Sequence, residues 1–405
     1  MNKVSAKNQI RRNRILRLLL DNGHLSLSEI ARRTGISLPM ISKLVTEMKT
    51  EQLIDTEEGV RVERVGRPPI IAHLNGNAGY VVGVDLGRRT TNIVLLNLEQ
   101  RIILEKHIPS FTLGHDPKII DWIMDEVNSS IDEAVVQKHK LLGIGLSIPG
   151  IVRGREGTSE TYLNFGNKSV RQMLSDKFQK PVHIEHDAKA MALGEWWFGA
   201  AKTLSNVLVL NIGWGLGLGI LIDGKIYYGR DGFAGEFGHI QIIPDGILCR
   251  CGKRGCLETV ASGMAIGRIA REKISTGAVS KLTEFCEGNT ELIDAEMVTK
   301  AALRGDSFSI EVLEEAGNYL GEGVSHLINI FNPERIILGG RVSQADHFIL
   351  DPVRASALKQ SYVPLSKGVE FLISRLGGNA GALGVAMLAT RDIFEVDHLN
   401  PSALV

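Results

Sequence analysis

A chain of 405 residues is long enough to bury the cores of two or three domains, so neither a disulfide nor a metal is required to keep it folded. Its 46 basic residues balance 46 acidic ones, which excludes a polycation, yet residues 1–75 carry 13 Lys and Arg against 8 Asp and Glu, leaving 33 against 38 for the rest. No apolar run is long enough to span a bilayer and the first residues, MNKVSAKNQIRRNR, lack the apolar core of a signal peptide, so the chain is expected in the cytoplasm without membrane insertion.

In chain order, NRILRLLLDNG sets Ile15, Leu16, Leu18, Leu19 and Leu20 at helical spacing and stops at Gly23. SLSE offers Ser26 as an N-cap with Glu29 three residues later, a capping box that opens a short second helix. Thr34 and Gly35 turn the chain, and Ser37 caps a third helix, LPMISKLVTEMKTEQL, with Pro39 tolerated in its first turn. Helix, glycine turn and helix make the helix-turn-helix plan.

In that third helix Ile41, Leu44, Val45 and Met48 share one face, leaving Met40, Ser42, Lys43 and Thr46 outward on a short polar, basic face that suits a major groove. LIDTEEGVRVERVGRPPIIAHLN then reads as two strands around a basic turn, a wing. Arg61, Arg64 and Arg67 sit near that turn, where GRPP is a stiff tip able to reach phosphates or a minor groove. A small helical domain that binds protein, with its charges merely solvated, is the plainer alternative. Pattern, wing and charge asymmetry together favour a double-stranded DNA operator, contacted through Ser37, Pro39, Met40, Ser42, Lys43, Thr46, Arg64 and Arg67 in a domain spanning residues 1–75.

From residue 79 the texture changes. GYVVGVDLGRRTTNIVLLNLEQRIILEKHI reads as strands joined by tight turns, KIIDWIMDEVNSSIDEAVVQ as an amphipathic helix, and LLGIGLSIPGIV as a buried strand. A second cycle opens with NVLVLNIGWGLGLGILIDGKIYYG. The repetition suggests an α/β fold of two similar lobes facing a cleft.

GHIQIIPDGILCRCGKRGCLET holds three of the four cysteines. His239, Cys249, Cys251 and Cys256 stand at His-x9-Cys-x-Cys-x4-Cys spacing, one imidazole and three thiolates suited to Zn2+, and four protein ligands close its shell. One structural zinc per chain is therefore expected, against the alternative of an incidental cluster of cytosolic thiols. Cys286 stands alone in TEFCEG and reads as a small core residue.

Residues 79–390 resemble the ROK family, which contains bacterial repressors and sugar kinases, and the winged helix with its GRPP linker is similar to the repressor branch. The resemblance implies the two-lobed actin-like ATPase fold: a first lobe over residues 79–195, completed by a C-terminal helix in 380–405, and a second lobe with the zinc loop over 196–380. It also implies a sugar pocket. By likeness to the family's motifs, LNF supplies Asn164, EHDAKAMALGE supplies His186 and Asp187, AGEFGH supplies Glu236 and His239, and CLET supplies Glu258, with His186 standing where the kinases usually carry Asn. If the chain were a kinase, Asp187 would be the catalytic base.

The phosphate turns depart from that pattern. DLGRRT carries Arg88 and Arg89 where the kinases have a second glycine and a threonine, and GWGLGLG carries Trp214 at the threonine position and Leu218 at a glycine. No catalytic residue and no bound ATP are therefore expected. The resulting expectation is a sugar-responsive DNA-binding regulator, a repressor of carbohydrate genes, that binds a sugar or sugar phosphate without phosphorylating it and works as a homodimer or homotetramer. The alternatives are an ATP-dependent hexose kinase carrying a DNA-binding domain, or a regulator signalled by a sugar-transport protein.

Overall fold

The structure, a computed structural model, describes residues 3–59, 68–166 and 168–394; Arg61, Arg64 and Arg67, expected at the wing, lie outside these. The head comprises α1 (Lys3–Asn22), β1 (Leu25–Ser26), α2 (Leu27–Thr34), α3 (Leu38–Thr50), β2 (Ile54–Glu58) and β3 (Ile70–Leu74), with the strands antiparallel in the order β1-β3-β2. The stripe Ile41, Leu44, Val45 and Met48 is buried against Ile15, Leu16, Leu19 and Leu20 of α1.

Ser26 Oγ accepts from the Glu29 amide at 3.2 Å, but the Glu29 carboxylate turns instead to Arg33, so only half of the expected capping box forms. Two further expectations are corrected. Ser37 occupies the N-cap of α3, yet its hydroxyl makes no capping bond. Met40 is half-buried against the head core rather than outward, because it lies four residues before Leu44, on the margin of the apolar stripe.

The first sheet of the body is built from β4 (Tyr80–Leu86), β5 (Thr90–Asn97), β6 (Ile102–Pro109), β7 (Leu141–Ile148) and, beyond the short ribbon β8 (Val152–Arg153) and β9 (Thr158–Ser159), β10 (Val182–His186). Its order is β10-β7-β4-β5-β6, parallel on the β10-β7-β4 side and antiparallel on the other. The central β7, LLGIGLSI, is buried at every position, as a strand covered on both faces must be. Helices α4 (Lys118–Glu133) and α5 (Val170–Phe178) cover one face, their Ile123, Val127 and Leu174 entering the same cluster as Val82, Ile144 and Ile184.

The second sheet repeats the plan. β11 (Val207–Ile212), β12 (Leu216–Ile222), β13 (Lys225–Ile226), β14 (Arg335–Gly339) and β15 (Glu370–Ile373) run in the order β13-β12-β11-β14-β15, with β14 and β15 parallel to β11. Each sheet thus has its first strand central, an antiparallel meander on one side and parallel strands on the other. The second sheet is covered by α11 (Ser307–Phe331) and α12 (His347–Gln360), with α7 (Glu258–Ala261), α8 (Gly263–Ser275), α9 (Leu282–Phe285) and α10 (Ala295–Leu303) beside them and α13 (Val363–Ser366) leading into β15.

Between the two sheets lie α6 (Asp187–Phe198) and α14 (Ala380–Ile393). Both are almost wholly buried, and they meet backbone to backbone: a Cβ on Gly384 would stand 1.8 Å from the Ala190 carbonyl oxygen. On its other side α14 meets β4, where a Cβ on Gly83 would stand 1.9 Å from Ala382 O.

Head and body share one core. Leu19, Leu20 and Leu74 join Val81, Leu96 and Leu98 of the first sheet and Met387, Ile393 and Phe394 at the end of α14 in a continuous apolar cluster. Around it the Gln100 side-chain amide donates to Leu20 O, Asn75 N donates to Leu53 O at 3.0 Å, and burial beside Arg391 and Arg17 leaves the Asp21 carboxyl raised, the two cations opposing the shift.

The α6–α14 contact leaves no room for a methyl group, so Gly384→Ala is expected to lower the urea midpoint by an overpacking cost of about 1–3 kcal/mol with an unchanged slope.

Candidate sugar cleft and metal centre

The four residues expected to hold a metal come together on one loop. Cys249 Sγ lies 3.5 Å from His239 Nδ1, Cys251 Sγ lies 3.6 Å from Cys256 Sγ, and all four ligand atoms fall within 4.8 Å of one another. Tetrahedral zinc with bonds of about 2.3 Å to sulfur places sulfurs about 3.8 Å apart, so the set fits with little adjustment. Gly255, at φ 72°, admits the closure: a Cβ there would lie 1.6 Å from Ile243 O. Lys253 Nζ donates to His239 O at 2.7 Å and braces the loop across its mouth.

Burial, followed by the crowding of the other two thiols, pushes the Cys256 thiol up to about 12. A bound cation inverts that preference by holding the group as thiolate. This Cys3His group can hold a metal ion, and with four protein ligands it leaves no open position for a substrate.

His239 faces the cysteines with Nδ1 while its Nε2 lies 3.9 Å from Glu236 Oε2. Glu236 itself is exposed. Glu258, at the start of α7, is 6% exposed, and both of its oxygens are engaged: Oε2 accepts from Leu216 N at 3.2 Å and Oε1 pairs with Arg250 at 3.3 Å.

Asp187 opens α6 where β10 ends. Its Oδ1 accepts from Ala188 N at 2.7 Å, and its Oδ2 accepts from Asn211 Nδ2 at 3.2 Å. Burial pushes this carboxyl up to about 6, opposed by the Ala188 amide and the Lys189 charge and assisted by Glu258. Burial pushes the neighbouring His186 down to about 4, so the imidazole is neutral at neutral pH. With Nε2 3.1 Å from Asp187 Oδ1, the proton belongs on Nε2, leaving buried Nδ1 as an acceptor without a partner among the described residues. A ligand hydroxyl would satisfy it.

Asn164 is the outlying member. Its side-chain Oδ1 accepts from Gly166 N at 3.1 Å and its backbone N–H donates to His115 Nδ1 at 3.3 Å. It is tied to the others through its neighbour Tyr162, which interacts with Arg250, the same side chain that pairs with Glu258.

Sequence reasoning did not single out His115, Asn211, Lys189 or Arg250. Asn211 ends a strand just before a glycine turn and Arg250 lies between two metal-ligating cysteines, positions that a spacing argument could have flagged. Lys189 is 2% exposed and sits one turn into α6 beside Asp187, which only the fold reveals.

Asp85 stands buried near the end of β4, close enough to Asp187 to feel its charge. Burial pushes it up to about 6, against a hydrogen bond from Ser147 Oγ at 2.5 Å and with repulsion from Asp187. The turn that follows holds Arg88, whose guanidinium lies 4.4 Å from the Trp214 ring centroid. The two glycine turns therefore meet side chain to side chain where the resemblance placed phosphates.

On the head, Pro39, Ser42, Lys43 and Thr46 are exposed on α3. Lys43 reaches Glu47 only at 4.0 Å, so its ammonium is free to exchange partners, while Thr46 Oγ1 donates back to Ser42 O. No helix among the described residues is long and apolar enough to cross a membrane.

Comparison with known proteins gives two family matches: the ROK family over residues 81–392 and a winged helix-turn-helix DNA-binding family over residues 10–55. A xylose repressor of Caldicellulosiruptor bescii is 31% identical over 388 residues, covering 95% of this chain and 96% of its own. The Escherichia coli DNA-binding transcriptional dual regulator NagC is 28% identical over 93% of this chain and 91% of its own. A glucokinase of Halalkalibacterium halodurans is 35% identical, but over 75% of this chain and 93% of its own. Among solved structures, a ROK family transcriptional regulator described as a homologue of E. coli MLC superposes with TM-score 0.79 at 28% identity over 96% of this chain and 97% of that one. The glucokinase of Streptomyces griseus with glucose and AMPPNP reaches 0.68 at 30% identity over 77% of this chain and all of its own.

Because the folded-state pKa of Asp85 lies above its ordinary value, its favourable contribution is intact below about pH 4 and is lost as pH rises through about 6. Asp85→Asn is expected to gain about 3 kcal/mol over the native chain at pH 7.5 and almost nothing at pH 4, read as paired urea titrations.

Proposed function

The chain belongs to the ROK family, and from that premise we propose that it is a DNA-binding transcriptional repressor of carbohydrate genes whose kinase-like cleft binds a sugar or sugar phosphate without phosphorylating it. The observation that carries this reading is the pairing of Arg88 with Trp214 across the positions where the family's kinases approach phosphates, beside Asp187 and a His186 whose buried Nδ1 has no hydrogen-bond partner among the described residues. The head, with its exposed basic α3, supplies the DNA surface, and of the relatives spanning almost the whole chain one is named a xylose repressor and another a DNA-binding transcriptional dual regulator.

Asp187, His186, Asn164, Glu236, His239 and Glu258 are assigned to the sugar. A hexose offers hydroxyls that donate and accept at once, and this set offers both: carboxylate and imidazole acceptors, and amide and imidazole donors. Glu258 contributes while bound to Arg250, which orients its carboxylate. Zinc is assigned to His239, Cys249, Cys251 and Cys256 as a structural ion. It fixes the ring of His239 and leaves Nε2 toward the pocket.

Lobe closure on the sugar shifts α14, whose far end packs against the head, so that ligand occupancy and head placement are linked. In a homodimer or homotetramer this would alter the spacing of paired heads over two operator half-sites. A sugar-transport protein as a further partner fits the same scheme.

A kinase reading is favoured by one feature, the Asp187 carboxylate held by Asn211 at the start of α6, where a base for a sugar hydroxyl would stand. A coupled ADP-release assay over a hexose panel decides between them. No turnover is expected; robust turnover abolished by Asp187→Asn would establish the kinase.

Lys43→Ala is expected to weaken operator binding and to reduce the slope of log affinity against log salt by about one, measured by fluorescence anisotropy. Cys256→Ser is expected to lose the one equivalent of zinc and lower the melting temperature, whereas undiminished zinc content would overturn the metal assignment.

A further inference from the structure

We propose that the turn between β4 and β5 is a strap that ties the two lobes together across the cleft, in the place where a nucleotide-using relative would need open space. Three successive residues, two in that turn and Thr90 at the start of β5, each engage the second lobe. Arg88 stacks on Trp214, in the turn between β11 and β12. Arg89 pairs with Asp294 Oδ2. Thr90 Oγ1 accepts from Arg341 Nη2, just beyond β14.

The anchors are themselves held. Asp294 uses its other oxygen to cap α10, accepting from Met297 N at 2.9 Å. Arg341 donates through Nη1 to Glu296 Oε2 at 2.8 Å, on the same helix. The backbone around Trp214 is tied to α8, Gly263 N donating to Gly213 O at 2.9 Å and Met264 N to Trp214 O at 3.1 Å. On the first lobe, Gly87 makes the turn tight enough to present all three residues: a Cβ there would meet Thr90 O at 2.4 Å.

Each contact is weak singly, since Arg89 is 52% exposed and surface ion pairs contribute little. Three contacts on adjacent residues act as one unit, because placing the first fixes the others. The arginines that remove a phosphate turn thereby supply a nucleotide-independent means of holding the lobes, and the strap sets how readily the cleft opens. The inference is independent of what the cleft binds.

The test is hydrogen exchange on the full-length protein without sugar or DNA. Arg89→Gln breaks the ion pair, and Asp294→Asn breaks it while keeping a good N-cap. Each variant should accelerate exchange about two- to fivefold in residues 87–91 and also in residues 213–216, which neither side chain touches, and the double variant should add nothing further. Acceleration confined to residues 87–91 in Arg89→Gln, no acceleration in either variant, or additive effects in the double variant would each overturn the strap.

Discussion

The contact between α6 and α14 governs the rest of the molecule. Both helices are enclosed by sheets, and at Gly384 they approach until one backbone touches the other. Interiors packed at this density do not deform gradually. A displacement of α6, which carries Asp187 at its first residue, must be met by α14, and α14 ends in the cluster shared with Leu19, Leu20 and Leu74 of the head. Two regions far apart in sequence, Asp187 and the head, are therefore mechanically adjacent, and the proposed coupling between ligand and DNA needs no element beyond those that hold the lobes together.

The cleft is the other place where the fold carries a cost. Asp85 and Asp187 are both held above their ordinary range by burial, with Asp187 adding to the rise of Asp85 and Glu258 to that of Asp187. His186 is kept neutral, with one nitrogen unsatisfied. Asp187 and His186 are among the groups assigned to the proposed sugar site, where each unspent donor or acceptor would become part of recognition once a sugar enters. The Cys3His loop also carries Arg250, which pairs with Glu258, and with four protein ligands it would offer no open coordination position.

Much of the fold was legible in sequence because it rests on local rules. Period 3.6 marked α1 and α3, glycine turns marked the paired strands, and the His-x9-Cys-x-Cys-x4-Cys spacing marked a cluster that the fold closes to within 4.8 Å. The failures were of a different kind. Met40 is half-buried because side-chain direction at the edge of a stripe depends on the neighbouring helix, and Glu29 abandons its capping bond for Arg33 because an ion pair one turn away competes successfully. Lys189, His115 and the Arg89–Asp294 pair depend on contacts between distant segments, 205 residues apart for the last, and no local pattern announces them.

The central claim is that sugar in the cleft and DNA on the head are linked through this packing. It is tested most directly by calorimetry: the dissociation constant of the sugar found by thermal-shift screening, measured with and without a saturating operator duplex. The account predicts that the duplex changes sugar affinity by a factor of about 5–150, and that the sugar changes duplex affinity by the same factor. Equal sugar affinity in the presence and absence of the duplex would contradict it.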